Sequence, residues 1–340
     1  MSSSTFGKEG RGRRALLGRV ASLVLASFAG LGGVAMSLPA MAEFPDHPIR
    51  MVVAYPPGGA TDVMARAVAA RLGERLKQPV IVENKPGASG MIGTEYVGKS
   101  VADGYTLIFT AADTHSMNPH VYPKITYDAR RDFTPVAQVG YLPLALIINP
   151  QVPAKNVAEF VALLKQQPGK FTYASFGVGS SSQVAMEMFK GEAQVNLLHV
   201  PFQGAAPAVA AIMGGQVDAM MVPLTLAEPN HRAGKVRLLG VAAATRFAGA
   251  PDSPTFAEQG MALNSAPWVG ILSPSRVPPE TVEKLNREVN AALEDPQIRE
   301  TLQKNGLQPF TSSQAAFKAL LDVEYERWGK TIRDANIRVD

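Results

Sequence analysis

The chain has 340 residues, of which 33 are lysine or arginine and 29 are aspartate or glutamate, and it contains no cysteine. The absence of cysteine excludes disulfides, thiolate metal sites and cysteine nucleophiles, so the folded form must be held by its apolar core. Residues 1–42 hold five basic residues and one acidic residue, which leaves 28 of each sign and no net charge beyond them; this argues against nucleic acid or an acidic membrane surface as a partner.

Residues 1–42 have the three parts of a secretory signal peptide. Four arginines between positions 11 and 19 form a basic region, residues 20–38 are uncharged and mostly apolar, and Ala40-Met41-Ala42 is a small-x-small cleavage site. We therefore expect cleavage after Ala42 and a periplasmic location, with an uncleaved membrane anchor as the alternative. The pair Arg13-Arg14 leaves general and twin-arginine export both open.

The folded part opens with a predicted strand, turn and helix over residues 49–62. The strand stops at Pro56-Pro57, the chain turns through Gly58-Gly59, and we expect the helix to begin at Thr61 or Asp62. The first amides of a helix lack partners within it and the helix dipole favours negative charge there, so such a turn binds an anion without arginine or lysine. We interpret it as one wall of a ligand cleft; the alternative is an ordinary tight connection.

Strands and helices then alternate up to the third strand. Helices are expected over 63–76 and 92–101 and strands over 80–83 and 105–110, with a second glycine-rich turn over 84–90. Continuous apolar strands in this alternation predict a parallel sheet covered by helices on both faces. The loop after the third strand, residues 111–115, lies where ligands bind in open α/β sheets.

Two apparent motifs in this region are set aside. Residues 93–100 match the nucleotide-binding pattern G-x-x-x-x-G-K-[ST], but the segment is itself predicted as helix and Asp103-Gly104 follows too soon for the helix that the motif needs. His115 and His120 have no clear third ligand, so we expect no metal site, and no cofactor is predicted.

Residues 134–149 are predicted to be an extended crossover into a second domain with turns of the same kind. The strand 171–175 ends in a turn rich in glycine and serine, residues 176–182, whose hydroxyls either donate to a carboxylate or merely cap the next helix. Pro201 to Ala206 forms a third such turn. The turn over 176–182 does not match the nucleophile-elbow pattern G-x-S-x-G.

The rest of the chain supplies further strands and an outer layer of helices. Strands are predicted over 196–200, 217–222, 236–244 and 268–272, and helices over 156–167, 183–190, 225–231, 280–293, 296–305 and 313–334. The last three helices are charged and amphipathic, so we expect them to pack back on the first domain.

Several short motifs stand in one order along the chain. They are Pro56-Pro57-Gly58-Gly59-Ala60-Thr61-Asp62, Val82-Glu83-Asn84-Lys85-Pro86-Gly87-Ala88-Ser89-Gly90 with Ile92-Gly93, Ala102-Asp103-Gly104-Tyr105-Thr106-Leu107, Pro201-Phe202-Gln203-Gly204-Ala205-Ala206-Pro207, Gly215-Gln216-Val217-Asp218 and Trp328-Gly329-Lys330. In this order they closely resemble the extracytoplasmic solute receptors of the tripartite tricarboxylate transporter family, the Bug receptors. The resemblance runs from about Phe44 to the end of the chain.

The resemblance implies an α/β fold of the periplasmic binding protein kind (type II-like). Two doubly wound α/β domains are joined by two crossover strands with a ligand cleft between them, and we place them at residues 43–142 plus 265–340 and at residues 143–264. Receptors of this family hold a small carboxylate through backbone amides, hydroxyls and bridging waters rather than through an arginine. Carried over by position, the ligand-binding residues are Tyr55, Gly58, Gly59, Ala60, Thr61, Asp62, Ala112, Asp113, Thr114, Ser175, Gly177, Gly179, Ser180, Ser181, Phe202, Gln203, Gly204 and Ala205.

The chain departs from the family pattern at five positions. The family often has a third glycine at Ala60, a histidine at Gln183, a tyrosine at Phe202, a basic residue at Gln203 and a glycine at Asp113. The lost hydroxyl and the added acid lead to the hypothesis of a larger, more apolar or amino-bearing carboxylate. The alternative is that the added acid faces solvent.

The predicted function is capture of a small carboxylate by hinge closure, without chemistry, and its delivery to the membrane permease subunits of a tripartite tricarboxylate transporter. We expect a monomer. One alternative is a ligand-sensing receptor for a signalling system. Another is an exported hydrolase with Ser180 or Ser181 as nucleophile, although no histidine of the chain belongs to a recognisable catalytic motif.

Overall fold

The computed structural model describes residues 44–339 and Met1, so the predicted signal peptide, apart from Met1, and its cleavage site lie outside the described residues. The strands are β1 Ile49–Val53, β2 Val80–Asn84, β3 Thr106–Ala111, β4 Phe133–Tyr141, β5 Leu144–Ile148, β6 Thr172–Ser175, β7 Leu198–Pro201, β8 Ala219–Pro223, β9 Arg237–Val241, β10 Trp268–Pro274 and β11 Gln308–Pro309. The α-helices are α1 Ala60–Leu76, α2 Met91–Gly98, α3 Asn118–Val121, α4 Val157–Gln166, α5 Ser181–Ala193, α6 Ala205–Met213, α7 Leu224–Arg232, α8 Pro279–Leu293, α9 Pro296–Lys304 and α10 Gln314–Asp334. No helix within this part of the chain is long and apolar enough to cross a membrane.

The first sheet contains six strands in the order β11-β4-β10-β3-β1-β2. β1 is parallel to β2 and to β3, as the alternation of strands and helices predicts. β10 is antiparallel to both β3 and β4, so the sheet is mixed and the prediction of a parallel sheet was only partly correct. The reason is that β10 returns from the second sheet instead of following β3 through a helical crossover.

The second sheet contains five strands in the order β7-β6-β8-β5-β9. β6 is parallel to β7 and β8, whereas β5 is antiparallel to β8 and β9. Each sheet with its helices forms one lobe: lobe 1 contains the first sheet and lobe 2 the second. Within each lobe, the parallel strands place their carboxyl ends at a common edge.

Both faces of the first sheet are covered. Successive residues of β1 point to opposite faces, so Met51 packs with Val68 of α1 and Leu285 of α8, while Val52 packs with Trp328 of α10 on the other side. Each large side chain buried in this way stabilises the fold by about 1.5–3 kcal/mol. The C-terminal helices therefore pack on lobe 1, as their amphipathic pattern predicts.

Two connections between the lobes run side by side. The amide of Leu142, just after β4, donates to the carbonyl of Pro267 at 2.8 Å, and the amide of Ala242 donates to the carbonyl of Leu144 at 2.7 Å. Outgoing and returning segments are thus hydrogen-bonded to each other where the chain passes between the lobes. This is the double crossover that the resemblance implies.

The segment after β3 contains structure that no periodic pattern predicts. Residues Asp113–Met117 form a π-helical turn that leads directly into α3. The hydroxyl of Tyr127 donates to the carbonyl of Thr114, and the imidazole of His120 hydrogen-bonds the carbonyl of Tyr325 at 3.0 Å. The turn is held by such tertiary contacts and not by its own hydrophobic period, which explains why it is missed.

Candidate functional site

Three turns of lobe 1 meet at the carboxyl edge of its sheet. Gly90, in the turn after β2, has φ +84° and lies so close to its neighbours that a Cβ there would be 2.8 Å from Cγ2 of Thr114 and 3.4 Å from Cβ of Ala54. Ala54 follows β1 and Thr114 follows β3. Only glycine fits both the backbone conformation and the space, so this residue brings the three turns into contact.

The helix after the first turn begins earlier than predicted. α1 starts at Ala60 with Gly59 as its N-cap, so the predicted start at Thr61 or Asp62 was wrong. Thr61 and Asp62 are residues of the first helical turn. A glycine N-cap supplies no side-chain acceptor, and the first amides of α1 are therefore not capped by that residue.

Asp62 braces this turn from within the helix. One carboxylate oxygen accepts from the amide of Gly58 at 2.9 Å and from Nε of Arg66 at 3.0 Å, and the other accepts from Nδ2 of Asn84 at 2.9 Å. The side chain is only 3 % exposed. Burial alone raises the pKa of Asp62, but the hydrogen bonds and the charge of Arg66 outweigh it, and the pKa is lowered. Asp62 thus occupies the Gly58 amide, one of the donors predicted for the ligand.

Asp113 lies in the turn after β3 and is partly buried, so it does not project into open solvent. Its Oδ1 accepts a hydrogen bond from the hydroxyl of Tyr55 at 2.5 Å. Burial raises the pKa of Asp113, an effect that this hydrogen bond reduces but does not cancel. Burial and then the Asp113 charge raise the pKa of Tyr55 well above its usual value. Two predicted site residues from different turns therefore form one polar pair.

In lobe 2, the turns after β6 and β7 also meet. The amide of Phe202 donates to the carbonyl of Ser175, and the amide of Gly204 donates to the carbonyl of Phe176, both at 3.0 Å. Gly204 has φ +104° and is the N-cap of α6, which it leaves without a side-chain cap. The first amides of α6, which begins at Ala205, therefore lack a side-chain acceptor from the N-cap residue, as do those of α1.

Several hydrogen-bond donors of the turn after β6 bond to acceptors within the same turn and the start of α5. Ser180 is the N-cap of α5, and its hydroxyl accepts from the amide of Gln183 and donates to the carbonyl of Gly177. The amide of Gly179 donates to Oε1 of Gln183 at 2.7 Å. Of the two interpretations of this serine-rich turn, the contacts support capping for Ser180.

A serine and a histidine stand beside this turn. Oγ of Ser175 lies 2.7 Å from Nε2 of His199, and Nε2 of Gln183 lies 3.2 Å from Nδ1 of the same ring. Because Oε1 of Gln183 already accepts from Gly179, its amide nitrogen faces the ring and donates to Nδ1. The proton of His199 is therefore on Nε2, from which it is donated to Ser175. Burial lowers the pKa of His199 and favours this neutral form.

The turns of the two lobes touch each other. Gly179, with φ +77°, packs against α3 so closely that a Cβ there would lie 2.6 Å from Cγ1 of Val121. Val184 of α5 shares an apolar cluster with Ala54 and Val121 of lobe 1. The carboxyl edges of the two sheets are thus apposed, and the predicted site residues lie on both sides of the contact.

Some of the predicted ligand-binding residues have side chains that make no polar contact within these turns. Ala112 is fully buried in the apolar cluster, which leaves only its backbone for a ligand. Within residues 44–339, the side chains of Thr61, Ser181 and Gln203 have no hydrogen bond, so they belong to the predicted site by position alone. A groove of about 470 Å³ between α5 and α10 lies outside the predicted turns.

Sequence reasoning missed the turn after β2 as part of the site. Four successive residues, Gly87 to Gly90, have positive φ values of 123°, 47°, 53° and 84°, although Ala88 and Ser89 are not glycine. Nδ2 of Asn118 donates to the carbonyl of Ser89 at 2.9 Å and helps to hold this conformation. Left-handed backbone in non-glycine residues stores strain and is concentrated at functional sites. In the sequence, Gly87 and Gly90 at the two ends of the segment are what indicates this backbone conformation.

Two α/β lobes joined by two adjacent crossings, with glycine-rich turns apposed at the carboxyl edges of their sheets, define a periplasmic binding protein. The chain belongs to the tripartite tricarboxylate transporter family of receptors, whose sequence profile matches residues 64–337. This family consists of solute-binding receptors.

Relatives extend over nearly the whole chain. Protein BugT of Bordetella pertussis is 32 % identical over 318 residues, which cover 93 % of this chain and 97 % of BugT. The structure of R. palustris Rpa4515 with adipate is similar with a TM-score of 0.74 at 32 % identity, covering 87 % of this chain and 100 % of that one. MatC (Rpa3494) from Rhodopseudomonas palustris with bound malate has a TM-score of 0.69 at 32 % identity, covering 85 % and 100 % of the two chains.

Proposed function

We propose that this protein captures a small carboxylate between its two lobes by hinge closure and delivers it to the membrane permease of a tripartite tricarboxylate-type transporter. The observation that supports the proposal most directly is the contact of Gly179, just before α5, with Val121 of α3, where the carboxyl edges of the two sheets meet. The adipate bound to Rpa4515 and the malate bound to MatC support a carboxylate as the ligand class.

The mechanism follows from the two crossings. Two adjacent connections, hydrogen-bonded to each other at Leu142 and Pro267, would serve as the hinge about which one lobe rotates against the other. A carboxylate that contacts both the α1 and the α6 N-termini binds the closed arrangement more tightly than the open one. The difference between the two affinities sets the population shift that the permease detects.

The protein performs no chemistry on its ligand in this proposal. Among residues 44–339, neither Ser180 nor Ser181, the serines considered as nucleophiles, hydrogen-bonds a histidine. The serine that does so is Ser175, to which the ring of His199 donates through Nε2. A general base must accept the hydroxyl proton at that nitrogen and usually has a carboxylate at Nδ1, where this chain has Gln183. The polarity of the pair is thus opposite to that of a serine hydrolase.

Three further assignments remain proposals. The lobe boundaries at residues 43–142 plus 265–340 and at residues 143–264 are supported by the hydrogen bonds between the two crossings. A periplasmic location after cleavage behind Ala42 is supported by the signal-peptide pattern and by a family of exported receptors. The ligand-binding residues, apart from the capping residue Ser180, are supported by the meeting of their turns.

A thermal-shift screen of carboxylates on the mature chain from Glu43 tests the function. A ligand that binds only the folded protein stabilises it by mass action and so raises the melting temperature. At a ligand concentration a hundredfold above its Kd, the free energy of unfolding increases by about 2.7 kcal/mol. We expect at least one carboxylate of the adipate and malate size range to do so in a concentration-dependent manner. Sodium chloride and sulfate at equal ionic strength are the controls. A flat response to every carboxylate would contradict the proposal.

A further inference from the structure

We infer that the ligand carries a protonated amine as well as a carboxylate, and that Asp113 binds the amine. The inference rests on the proposed function and narrows its ligand class. Its basis is a partly buried acid without a cationic partner, placed among the turns that hold the carboxylate.

Asp113 is in the centre of the lobe 1 turns. Its neighbour Thr114 contacts Gly90, from the turn after β2, and its own carboxylate is bonded to Tyr55, from the turn after β1. All three turns lie at the edge that faces lobe 2, where α3 meets Gly179. A ligand held at this edge comes within reach of the Asp113 side chain.

Within the described part of the chain, no charged side chain around Asp113 balances its carboxylate. Among residues 44–339 no lysine, arginine or histidine forms an ion pair with this carboxylate. Burial keeps His115 uncharged, since it lowers the pKa of that ring to about 3. The neighbouring Tyr55 and Tyr127 stay protonated, because burial raises the pKa of both hydroxyls.

Asp62, in the first turn of α1, has different surroundings. It accepts hydrogen bonds from Gly58, Asn84 and Arg66 and has no need of an outside donor. Asp113 accepts from the neutral hydroxyl of Tyr55 and from backbone amides, and no cationic side chain of the described residues pairs with it. A carboxylate without a cationic partner is suited to an ammonium group, which has three donors and no acceptor.

The two kinds of group define a dipolar site. The uncapped N-termini of α1 and α6 attract negative charge, whereas Asp113 repels it. A ligand with carboxylates only must place one of them near a like charge or leave that side empty. An amino acid satisfies both sides at once, with its carboxylate on the helix N-termini and its ammonium group on Asp113.

Calorimetric titration with matched amino and desamino pairs tests the inference. The panel consists of the L-amino acids and ω-amino acids of three to nine carbons, each paired with the acid that lacks only the amine, such as glutamate with glutarate. We expect the tightest ligand to bear an amine and to bind at least tenfold more tightly than its partner. Asp113→Asn should weaken the amino ligand at least tenfold and abolish the preference, because it removes the charge at constant size.

Asp252→Asn is the matched control, since it removes one exposed carboxylate from lobe 2, and it should change neither affinity. A tightest ligand without an amine, or a preference that survives in Asp113→Asn, overturns the inference and leaves the receptor function intact. Failure of the whole panel to bind overturns both. If a variant fails to fold, the affinity of the wild-type protein for amino ligands relative to their desamino partners still tests the inference.

Discussion

The turn after β1 in lobe 1 and the turn after β6 in lobe 2 have the same form in the sequence, an apolar strand followed by glycines and a helix, yet they differ in what they offer a ligand. The first ends in the N-cap Gly59 and leaves the start of α1 uncapped. The second ends in Ser180, and Ser180 and Gln183 occupy the donors of their own turn. The turn after β1 thus leaves the first amides of α1 available to a ligand. The turn after β6 uses its own donors and packs against α3.

The largest expected effect comes from breaking the contact among the lobe 1 turns. Gly90→Ala places a methyl group 2.8 Å from Thr114 at φ +84°, and we expect a loss of about 3 kcal/mol in the free energy of unfolding. Gly191→Ala in α5 is the control, because a Cβ there meets nothing within 4 Å, and it should be neutral or slightly stabilising. Urea unfolding of both variants makes the measurement; equal stability would show that the three turns are not in close contact.

The second largest effect is expected when the hydrogen bonds of Asp62 in the turn after β1 are weakened. Asp62→Asn removes the charge that Arg66 and the Gly58 amide bind, and we expect a loss of about 2 kcal/mol at pH 7. The pKa of Asp62 is lowered in the folded state from an ordinary value of 3.8, so its contribution is complete above that value and disappears as the pH falls through the folded-state pKa. Unfolding measured from pH 7 to pH 2 should therefore show the two proteins converging at the acid end, and a constant difference would contradict this assignment.

A third variant tests directly whether helix amides bind the ligand. Ala205→Pro removes the amide at the first position of α6, where proline is compatible with the helix, so we expect unchanged stability and about tenfold weaker binding, or about 1.4 kcal/mol. Gln314→Pro removes the corresponding amide of α10 and should leave affinity unaltered. If both prolines leave affinity unaltered, the start of α6 does not contact the ligand.

The smallest effect is expected in the lobe 2 turn. Ser180→Ala removes the N-cap of α5 and should cost about 1 kcal/mol of stability, as should Ser313→Ala at the N-cap of α10. Since Ser180 is engaged within its own turn, ligand affinity should change less than about threefold once the stability loss is taken into account. A much larger fall in affinity for Ser180→Ala alone would mean that its hydroxyl binds the ligand, and would remove the distinction between the two turns.

Much of the fold is predictable from local pattern. The apolar runs of β1 and β3, the amphipathic C-terminal helices and the glycine-rich turns are all local in sequence, and the structure confirms them. The start of α1 was misjudged because Asp62 has the residue type of an N-cap but braces the turn from inside the helix. A side chain that accepts from an upstream amide is not distinguishable from a cap by residue type alone.

The parts that escaped prediction depend on distant partners. The pairing of Gln183 with His199 joins a helix to a strand sixteen residues on, and nothing in either segment specifies it. The contact of Gly179 with Val121 joins the two lobes. The partial burial of Asp113 likewise depends on Tyr55, 58 residues earlier. These contacts determine the candidate site more than the motifs do.

The position of β10 between β3 and β4 has a consequence for how the molecule is assembled. All the strands of the second sheet lie between residues 144 and 241, so that sheet can be completed while the end of the chain is still missing. The first sheet cannot, because its interior strand begins only at Trp268. When the chain emerges N-terminus first, the edge of β3 that pairs with β10 therefore stays open until residues 268–274 are available.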